Sequence, residues 1–211
     1  MKIILSPSKT QNRRKDNHQK GLDLPSKHKT MELFDLVKSY SKDDLSDLMK
    51  IKNKLLNETY QLYQTKRSVQ NKIPAISLYT GVVFEQLDLD AYNHEQLTYM
   101  NHHLVILSAM YGPLKPDTLI WPYRLDMTMK PNDINLYDYW QDTIDEFFDD
   151  EIIINLASKE FSRMIKKQKK QMITIDFKNR TKSGKLRTIS YHAKQARGLM
   201  VNELILHQVD Q

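Results

Sequence analysis

The residues best suited to chemistry lie in a loop at 109–127, directly after a short apolar run at 104–108. That run is rich in β-branched side chains, which predicts a strand buried on both faces. The loop is stiffened by three prolines. Its aromatic and charged side chains are Tyr111, Lys115, Asp117, Trp121, Tyr123, Arg124 and Asp126. A rigid loop at the carboxyl end of a strand is a typical place for a binding site. The alternative is a packed connector in which Arg124 pairs with Asp126 or Asp117.

Further candidates follow other predicted strands or lie in the last predicted helix. Open α/β sheets gather their strand-end loops into one crevice, so we expect these side chains to meet there. The expected anion-binding set is Ser6, Lys9, Tyr79, Tyr111, Arg124, Asn155, Ser158, Lys194 and Arg197. Arginine binds phosphate bidentately, lysine acts as a point charge, and tyrosine stacks on bases. The sequence thus predicts a cationic cleft. The alternative pairs these cations with Asp117, Asp126 and Asp138 in a network without a ligand.

The sequence alone does not assign any residue to catalysis. The sequence has no Gly-x-Ser-x-Gly elbow, no cysteine nucleophile and no His-Glu-x-x-His helix. Asp126 has the chemistry of a general base and Lys9 that of a nucleophile. The adjacent His102 and His103 point in different directions, which is poor geometry for one metal ion. We therefore expect neither a bound metal nor a cofactor.

Composition limits the class of protein. A chain of 211 residues suits one domain with a sizeable core, so we expect a single domain over 1–211. It contains no cysteine, and nothing in it points to an oxidising compartment. Its apolar runs are far shorter than the roughly 18 residues of a membrane span. We expect a soluble, cytoplasmic protein that does not bind membranes.

The distribution of charge says more than the net charge of +6. Residues 1–29 hold eight Lys or Arg and two acids, and residues 159–197 hold thirteen and two. The stretch between them, 30–158, holds eleven Lys or Arg and twenty acids. If the fold brings the basic ends together, they form a surface suited to a polyanion. Taken singly, such runs are also typical of solvated helix faces.

Hydrophobic patterns predict the elements that position these residues. Strands are expected at 2–5, 73–78, 104–108 and 151–155 in one shared sheet. The later β-rich runs at 172–177 and 186–191 flank a Ser-Gly turn and predict a hairpin. Helical periodicity predicts helices at 31–40, 93–103 and 137–148, and Ser41 with Asp44 forms a capping-box start. The predicted fold class is α/β, with a mixed, mostly parallel sheet flanked by helices and a C-terminal β-hairpin.

The segment LSAMYGPLKPDTLIWPYRLDM at 107–127 resembles a signature of the YaaA family, bacterial proteins linked to hydrogen peroxide stress. Other blocks are similar to the family in the same order. They are LSPSKT at 5–10, YTG at 79–81, LYDYW at 136–140, INLASKEF at 154–161 and AKQARGLM at 193–200. The resemblance therefore covers most of the chain. Members of the family continue beyond the last block into a segment that this chain is expected to lack.

The resemblance implies a DNA-binding protein that contributes to protection against peroxide, with double-stranded or branched DNA as its partner. It also implies a helix-hairpin-helix element that includes Lys50, Lys52 and Lys54, whose turn would grip a phosphate. The turn sequence KIKNK lacks the usual glycine, so one uninterrupted amphipathic helix is the alternative. A second functional hypothesis is an enzyme that acts in the cleft on a nucleotide, a nucleobase or another phosphate-bearing or anionic small molecule.

Overall fold

The central sheet is built from strands far apart in the chain. The computed structural model describes residues 1–12, 14, 21–167, 171–181 and 183–209. The strands within them are β1 (Lys2–Leu5), β2 (Ile73–Pro74), β3 (Leu104–Ser108), β4 (Gly112–Leu114), β5 (Leu119–Ile120), β6 (Ile153–Asn155), β7 (Met172–Thr174), β8 (Asn179–Arg180) and β9 (Leu186–Arg187). The helices are α1 (Lys27–Lys38), α2 (Lys42–Met49), α3 (Asn53–Gln64), α4 (Ala75–Leu78), α5 (His94–His103), α6 (Leu136–Tyr139), α7 (Gln141–Phe147), α8 (Lys159–Ser162) and α9 (Ser190–His207). Short 3₁₀ helices cover Val69–Asn71, Phe84–Gln86 and Pro131–Asp133.

Within the described residues, five strands form the main sheet in the order β4-β3-β1-β6-β7. The middle strand β1 is parallel to both neighbours, with Ile4 opposite Val105 on one side and Asn155 on the other. Strand β7 continues the parallel arrangement, and β4 closes the opposite edge in the antiparallel sense. The predicted α/β class is confirmed, with its mixed, mostly parallel sheet, flanking helices and small hairpin.

Burial explains why the apolar runs became central strands. Every residue of β3 is buried, as are Ile3, Ile4 and Leu5 of β1. Buried helix side chains such as Leu33 and Phe34 belong to the same apolar cluster. Each such side chain contributes about 1.5 to 3 kcal/mol when removed from water. Among the helices described, none combines the length and apolar character that crossing a membrane requires.

The turn from β3 to β4 depends on a glycine. Gly112 has a φ of 71°, a region that side chains with a Cβ rarely adopt. A Cβ built there would lie 2.7 Å from the ring of Trp140. That tryptophan is fully buried, and its Nε1 donates a hydrogen bond of 2.9 Å to the carbonyl of Ala109. Gly112 therefore lets the chain reverse tightly against an indole anchored to the same turn.

The expected strand at 73–78 was wrong in its extent and in its sheet. Only Ile73 and Pro74 are extended, and they pair with β5 in a separate two-stranded sheet. Residues 75–78 form the single turn of α4. The amides of Ala75 and Ile76 donate to the carbonyls of Thr118 and Pro116. These hydrogen bonds to residues 116 and 118, just before β5, replace the strand pairing that the sequence predicted.

The expected hairpin of 172–177 and 186–191 was wrong in its pairing. Strand β7 joins the main sheet beside β6, with Ile173 opposite Ile154, because β6 offers an unpaired edge. The hairpin consists of β8 and β9, nearer the turn, and residues 190 and 191 already belong to α9.

The helix expected at 137–148 is two consecutive helices, α6 and α7, which meet at Trp140.

Candidate functional site

The carboxyl ends of β1 and β6 form the switch point of the sheet. From β1 the chain leads towards β3 on one side, and from β6 it leads towards β7 on the other. Ligands of open α/β sheets bind in the crevice at such a point. Here Ser6 follows β1 and Ser158 follows β6, and the backbone amide of Ser158 donates to Ser6 Oγ over 2.9 Å. The two hydroxyl oxygens lie 3.2 Å apart. The serine pair thus ties the two loops together.

Asn155, the last residue of β6, serves this junction structurally. Its side chain is buried, and Nδ2 donates to Thr174 Oγ1 over 3.1 Å. Its Oδ1 accepts from the amide of Ala157 over 2.9 Å. Asn155 therefore fixes the loop that carries Ser158. These bonds occupy the side chain that the sequence assigned to an anion.

A small cavity opens beside this junction, and we call it the strand-end cleft. Its lining comprises Pro7, Ser8, Lys9, Gln11, Tyr123, Arg124, Leu125, Asp126, Glu160 and Phe161. The cavity volume is about 50 Å³. A water molecule occupies about 30 Å³ in the liquid, so the cleft suits one or two waters or the head group of a small anion. Lys9 and Arg124 meet here as predicted, brought together from loops after β1 and β3.

The charges in the strand-end cleft are balanced. Lys9 Nζ lies 2.6 Å from Asp126 Oδ2 in an ion pair. The carboxylate of Glu160 accepts a 3.0 Å hydrogen bond from the amide of Met127. Lys9 and Arg124 thus face two carboxylates, and formal charges at neutral pH cancel. The expectation of unpaired cations does not hold for Lys9, because Asp126 already neutralises it.

Glu160 and Arg124 are the two charged groups of the strand-end cleft that lie outside the Lys9–Asp126 ion pair. Burial raises the pKa of Glu160, and the neighbouring charge of Asp126 raises it further. The hydrogen bond from Met127 and the charge of Lys9 lower the pKa of Glu160, but less than burial raises it. Among the described residues, no hydrogen-bond acceptor reaches the buried Nε of Arg124. The cleft therefore places a carboxyl whose pKa is raised beside a guanidinium, a group that binds anions.

Tyr79 and Tyr111 lie beneath the strand-end cleft. Both are fully buried, and the hydroxyl of Tyr111 donates to the carbonyl of Trp121 over 2.7 Å. The hydroxyl of Tyr79 lies 3.0 Å from that of Tyr123, which also accepts from Ser108 Oγ over 2.8 Å. Burial raises the pKa of Tyr123 to about 12, so this chain of hydroxyls stays protonated. Tyr123 is the tyrosine that lines the cleft, and Tyr79 supports it from below.

Lys194 and Arg197 lie apart from the other two predicted cations. Among the described residues that line the strand-end cleft, neither appears. Both are on α9, which packs against the 3₁₀ helix at Phe84–Gln86 and against α5. Lys194 is exposed, whereas burial lowers the pKa of the Arg197 guanidinium despite the opposing charge of Asp176. The predicted convergence of four cations is therefore limited to Lys9 and Arg124.

The alternative network of closed ion pairs is present in part. Asp126 pairs with Lys9, but Asp138 pairs with Lys166 at 2.8 Å, outside the strand-end cleft. Asp117 accepts from the side chain of Asn101. None of these recorded contacts involves the guanidinium of Arg124. Within the part of the chain described, no group of three or more His, Asp or Glu side chains is placed to hold a metal ion.

Glu160 was missed by the sequence analysis. It lies two residues after Ser158, in the first turn of α8, where an acidic residue is an ordinary helix-start signal. Its position in the block INLASKEF, beside a predicted site serine, is the signal that could have identified it. What the sequence did not show is the pairing of β1 with β6, which brings Glu160 to Lys9 and Asp126.

A second candidate site lies at the turn between α2 and α3. The capping box of Ser41 and Asp44 starts α2 as predicted. Lys50, in the left-handed conformation with a φ of 53°, ends that helix. The alternative of one uninterrupted helix is therefore wrong. Lys50, Lys52 and Lys54 are all exposed at this turn.

Comparison with known proteins identifies the group to which this fold belongs. A family profile described as peroxide stress protein YaaA matches residues 1–211. The chain belongs to the YaaA family. Membership supports a role in peroxide stress.

Relatives of this YaaA-family chain occur in several bacteria and are named UPF0246 proteins. A UPF0246 protein of Fusobacterium nucleatum is 39% identical over 217 residues, covering 99% of this chain and 87% of the relative. One of Rickettsia felis is 37% identical, covering 86% and 76%. One of Crocosphaera subtropica is also 37% identical, covering 84% and 75%. These names describe no reaction.

Proposed function

We propose that this chain is a DNA-binding protein that contributes to protection against hydrogen peroxide. The observation that carries the proposal is the open amino end of α3. Its N-cap residue, Lys52, makes no side-chain capping bond, and the first turn contains no acid. The backbone amides there are consequently available to an anion, and the helix dipole favours negative charge. A DNA phosphate is the polyanionic partner that matches the family resemblance.

The three lysines of the α2–α3 turn reinforce the site. Lys54 lies 3.7 Å from Glu58, but both side chains are largely exposed. Such a surface pair contributes little. Among the described residues, Lys50 and Lys52 have no acidic partner within 4 Å. The turn therefore presents positive charge as well as free amides.

Titration of a labelled 20-base-pair duplex by fluorescence anisotropy tests the proposal. With about six phosphates neutralised, the logarithm of the binding constant should fall with the logarithm of salt concentration with a slope of roughly −5. A slope near zero, or no binding at low salt, contradicts DNA binding. Parallel titrations with branched DNA show which form is preferred.

A triple variant locates the contact. Lys50→Glu, Lys52→Glu and Lys54→Glu together should weaken duplex binding by at least tenfold. A control with the same change of charge is Lys38→Glu, Lys66→Glu and Lys130→Glu, which alters three exposed lysines outside the turn. Equal losses in the two folded variants would mean that only net charge matters. Undiminished binding by the turn variant would remove the turn from the site.

The strand-end cleft supports a second candidate function, an enzyme acting on a phosphate-bearing or other anionic small molecule. The specific observation is the buried Nε of Arg124, unpartnered within the described residues, beside the carboxyl of Glu160. In this proposal Arg124 holds the anion, and Glu160 exchanges a proton with the substrate.

Inorganic phosphate is the first probe of the strand-end cleft. Phosphate that binds the folded state should raise the melting temperature with increasing concentration. Arg124→Ala should abolish most of that increase, while Arg163→Ala, which changes another arginine, should retain it. Equal increases in the wild type and in Arg124→Ala would reject the cleft as an anion site.

A further inference from the structure

The hairpin of β8 and β9 carries an unusually exposed surface. Residues 183–192 are all exposed, and they include three large apolar side chains. These are Leu186, Ile189 and Tyr191, with exposed fractions of 58%, 44% and 57%. Exposure of three large apolar side chains within residues 186–191 makes this segment a candidate interaction surface.

The same surface is strongly basic. Its cations are Lys178, Arg180, Lys185, Arg187 and Lys194. Among the described residues, none of them has an acidic partner within 4 Å. Asp176 is the one acid among the described residues of 171–194, and its charge acts on Arg197. The surface thus combines apolar exposure with positive charge, and the positive charge favours a polyanion as the partner. We call these five cations with Leu186, Ile189 and Tyr191 the ribbon surface.

The start of α9 adds an anion-binding feature to the ribbon surface. Its N-cap residue, Ile189, has no side chain able to cap, and the first turn contains no acid. The first amides of this 18-residue helix are therefore open beside Tyr191 and His192. The two rings lie 5.7 Å apart in an edge-to-face arrangement. Tyr191 is thus an exposed aromatic side chain beside these open amides.

We infer that the ribbon surface binds single-stranded DNA, with Tyr191 stacking on an unpaired base; the inference rests on the proposed DNA-binding function. Non-specific single-strand binding combines cations that follow the backbone with aromatic side chains on which bases stack. In a duplex the base faces are covered by their neighbours, so exposed aromatic and aliphatic groups gain little there. The ribbon surface offers both of the contacts that a single strand requires.

The test measures single-strand and duplex affinities of the same full-length variants. A labelled 12-nucleotide thymidine oligomer and the 20-base-pair duplex serve as ligands. Tyr191→Ala should weaken binding of the oligomer at least fivefold, the lower range for loss of one stacked base, and change duplex binding by less than about twofold. Tyr191→Phe retains the ring and should bind the oligomer like the wild type. Lys185→Glu with Arg187→Glu should weaken oligomer binding more than the control Lys38→Glu with Lys130→Glu.

The outcomes separate this inference from the proposed function. If the wild type binds the duplex but not the oligomer, or if Tyr191→Ala leaves oligomer affinity unchanged, only the inference fails. Equal losses on both ligands overturn the stacking role and favour insertion of the ribbon into a duplex groove. If the wild type binds neither ligand, the proposed function fails as well. Sedimentation of the Lys185→Glu, Arg187→Glu variant completes the test, because loss of a wild-type dimer would identify an interface between copies instead.

Discussion

Lys9 and Asp126 lie 117 positions apart in the sequence and meet as an ion pair of 2.6 Å at the carboxyl end of β1. The pair removes Lys9 from the cations available to a ligand. Arg124, whose Nε has no acceptor among the described residues, is then the cation of the proposed anion site in the strand-end cleft. In the proposed anion site, the carboxylate of Asp126 therefore reduces the attraction for negative charge.

The first prediction is that Asp126→Asn strengthens phosphate binding. The substitution removes a negative charge from the strand-end cleft and releases Lys9, so the affinity should rise by about tenfold, or about 1.4 kcal/mol. Calorimetric titration with phosphate measures the affinity directly. The control is Asp133→Asn, which removes an exposed carboxylate outside the cleft. An unchanged affinity in Asp126→Asn would show that the ion pair does not regulate the site.

The second prediction concerns the pH dependence caused by Glu160. Its pKa in the folded protein lies above the ordinary value of 4.5, chiefly because of burial. The folded state then binds more protons than the unfolded state between these two values, and stability falls as pH rises through that window. Glu160→Gln removes the titration while keeping an amide oxygen to accept from Met127. The free energy of unfolding of Glu160→Gln minus that of wild type should increase as pH rises.

Urea unfolding at several pH values from 4 to 8 checks this second prediction. Glu85→Gln, on an exposed residue outside the strand-end cleft, is the control for loss of a carboxylate. A difference between Glu160→Gln and wild type that does not vary with pH would contradict the raised pKa of Glu160. An opposite trend would mean that its hydrogen bond with Met127 outweighs burial.

Much of the sheet could be predicted because β1, β3 and β6 are short, buried runs of apolar and β-branched residues. The prediction of a strand over all of 73–78 was wrong for a physical reason. The amides of Ala75 and Ile76 donate to the carbonyls of residues 118 and 116, and sequence periodicity does not reveal such long-range partners. Likewise, the edge of β6 that receives β7 exists only after the sheet has assembled.

The candidate site could be predicted in part for related reasons. Lys9 and Arg124 follow parallel strands, and the geometry of such sheets brings these ends together. Arg197 lies outside the strand-end cleft because Gly198 lets α9 pack closely against the backbone at Val83. A Cβ on residue 198 would lie 2.1 Å from the carbonyl oxygen of Val83. Lys194 and Arg197 lie outside the cleft and Glu160 lies in it because of packing between elements that are far apart in the sequence.

The third prediction is that Tyr123→Phe destabilises the fold beneath the strand-end cleft. The hydroxyl of Tyr123 joins Tyr79 and Ser108, and all three side chains are buried. Its removal leaves the Tyr79 hydroxyl without this partner, so the free energy of unfolding should fall by about 1 to 3 kcal/mol. Thermal or urea unfolding measures the loss. Tyr191→Phe, on an exposed ring, should change stability by less than about 0.5 kcal/mol.

The last prediction concerns the turn that Gly112 makes against Trp140. Gly112→Ala places a Cβ 2.7 Å from the indole ring and imposes a φ of 71° on alanine. Backbone strain alone costs about 1 to 3 kcal/mol, and crowding in a packed core costs a similar further amount. The buried Trp140 cannot move freely, because Nε1 is bonded to the carbonyl of Ala109. We therefore expect a loss of roughly 2 to 6 kcal/mol in the free energy of unfolding.

Gly184→Ala isolates the contribution of the indole to this loss. Gly184 has a similar φ of 80°, but a Cβ built there meets no described atom within 4 Å. The control thus includes the strain of the backbone without the contact, and its loss in urea unfolding should be smaller by about 1 to 3 kcal/mol. Equal losses at the two glycines would show that the conformation of the turn, and not its approach to Trp140, requires glycine at position 112.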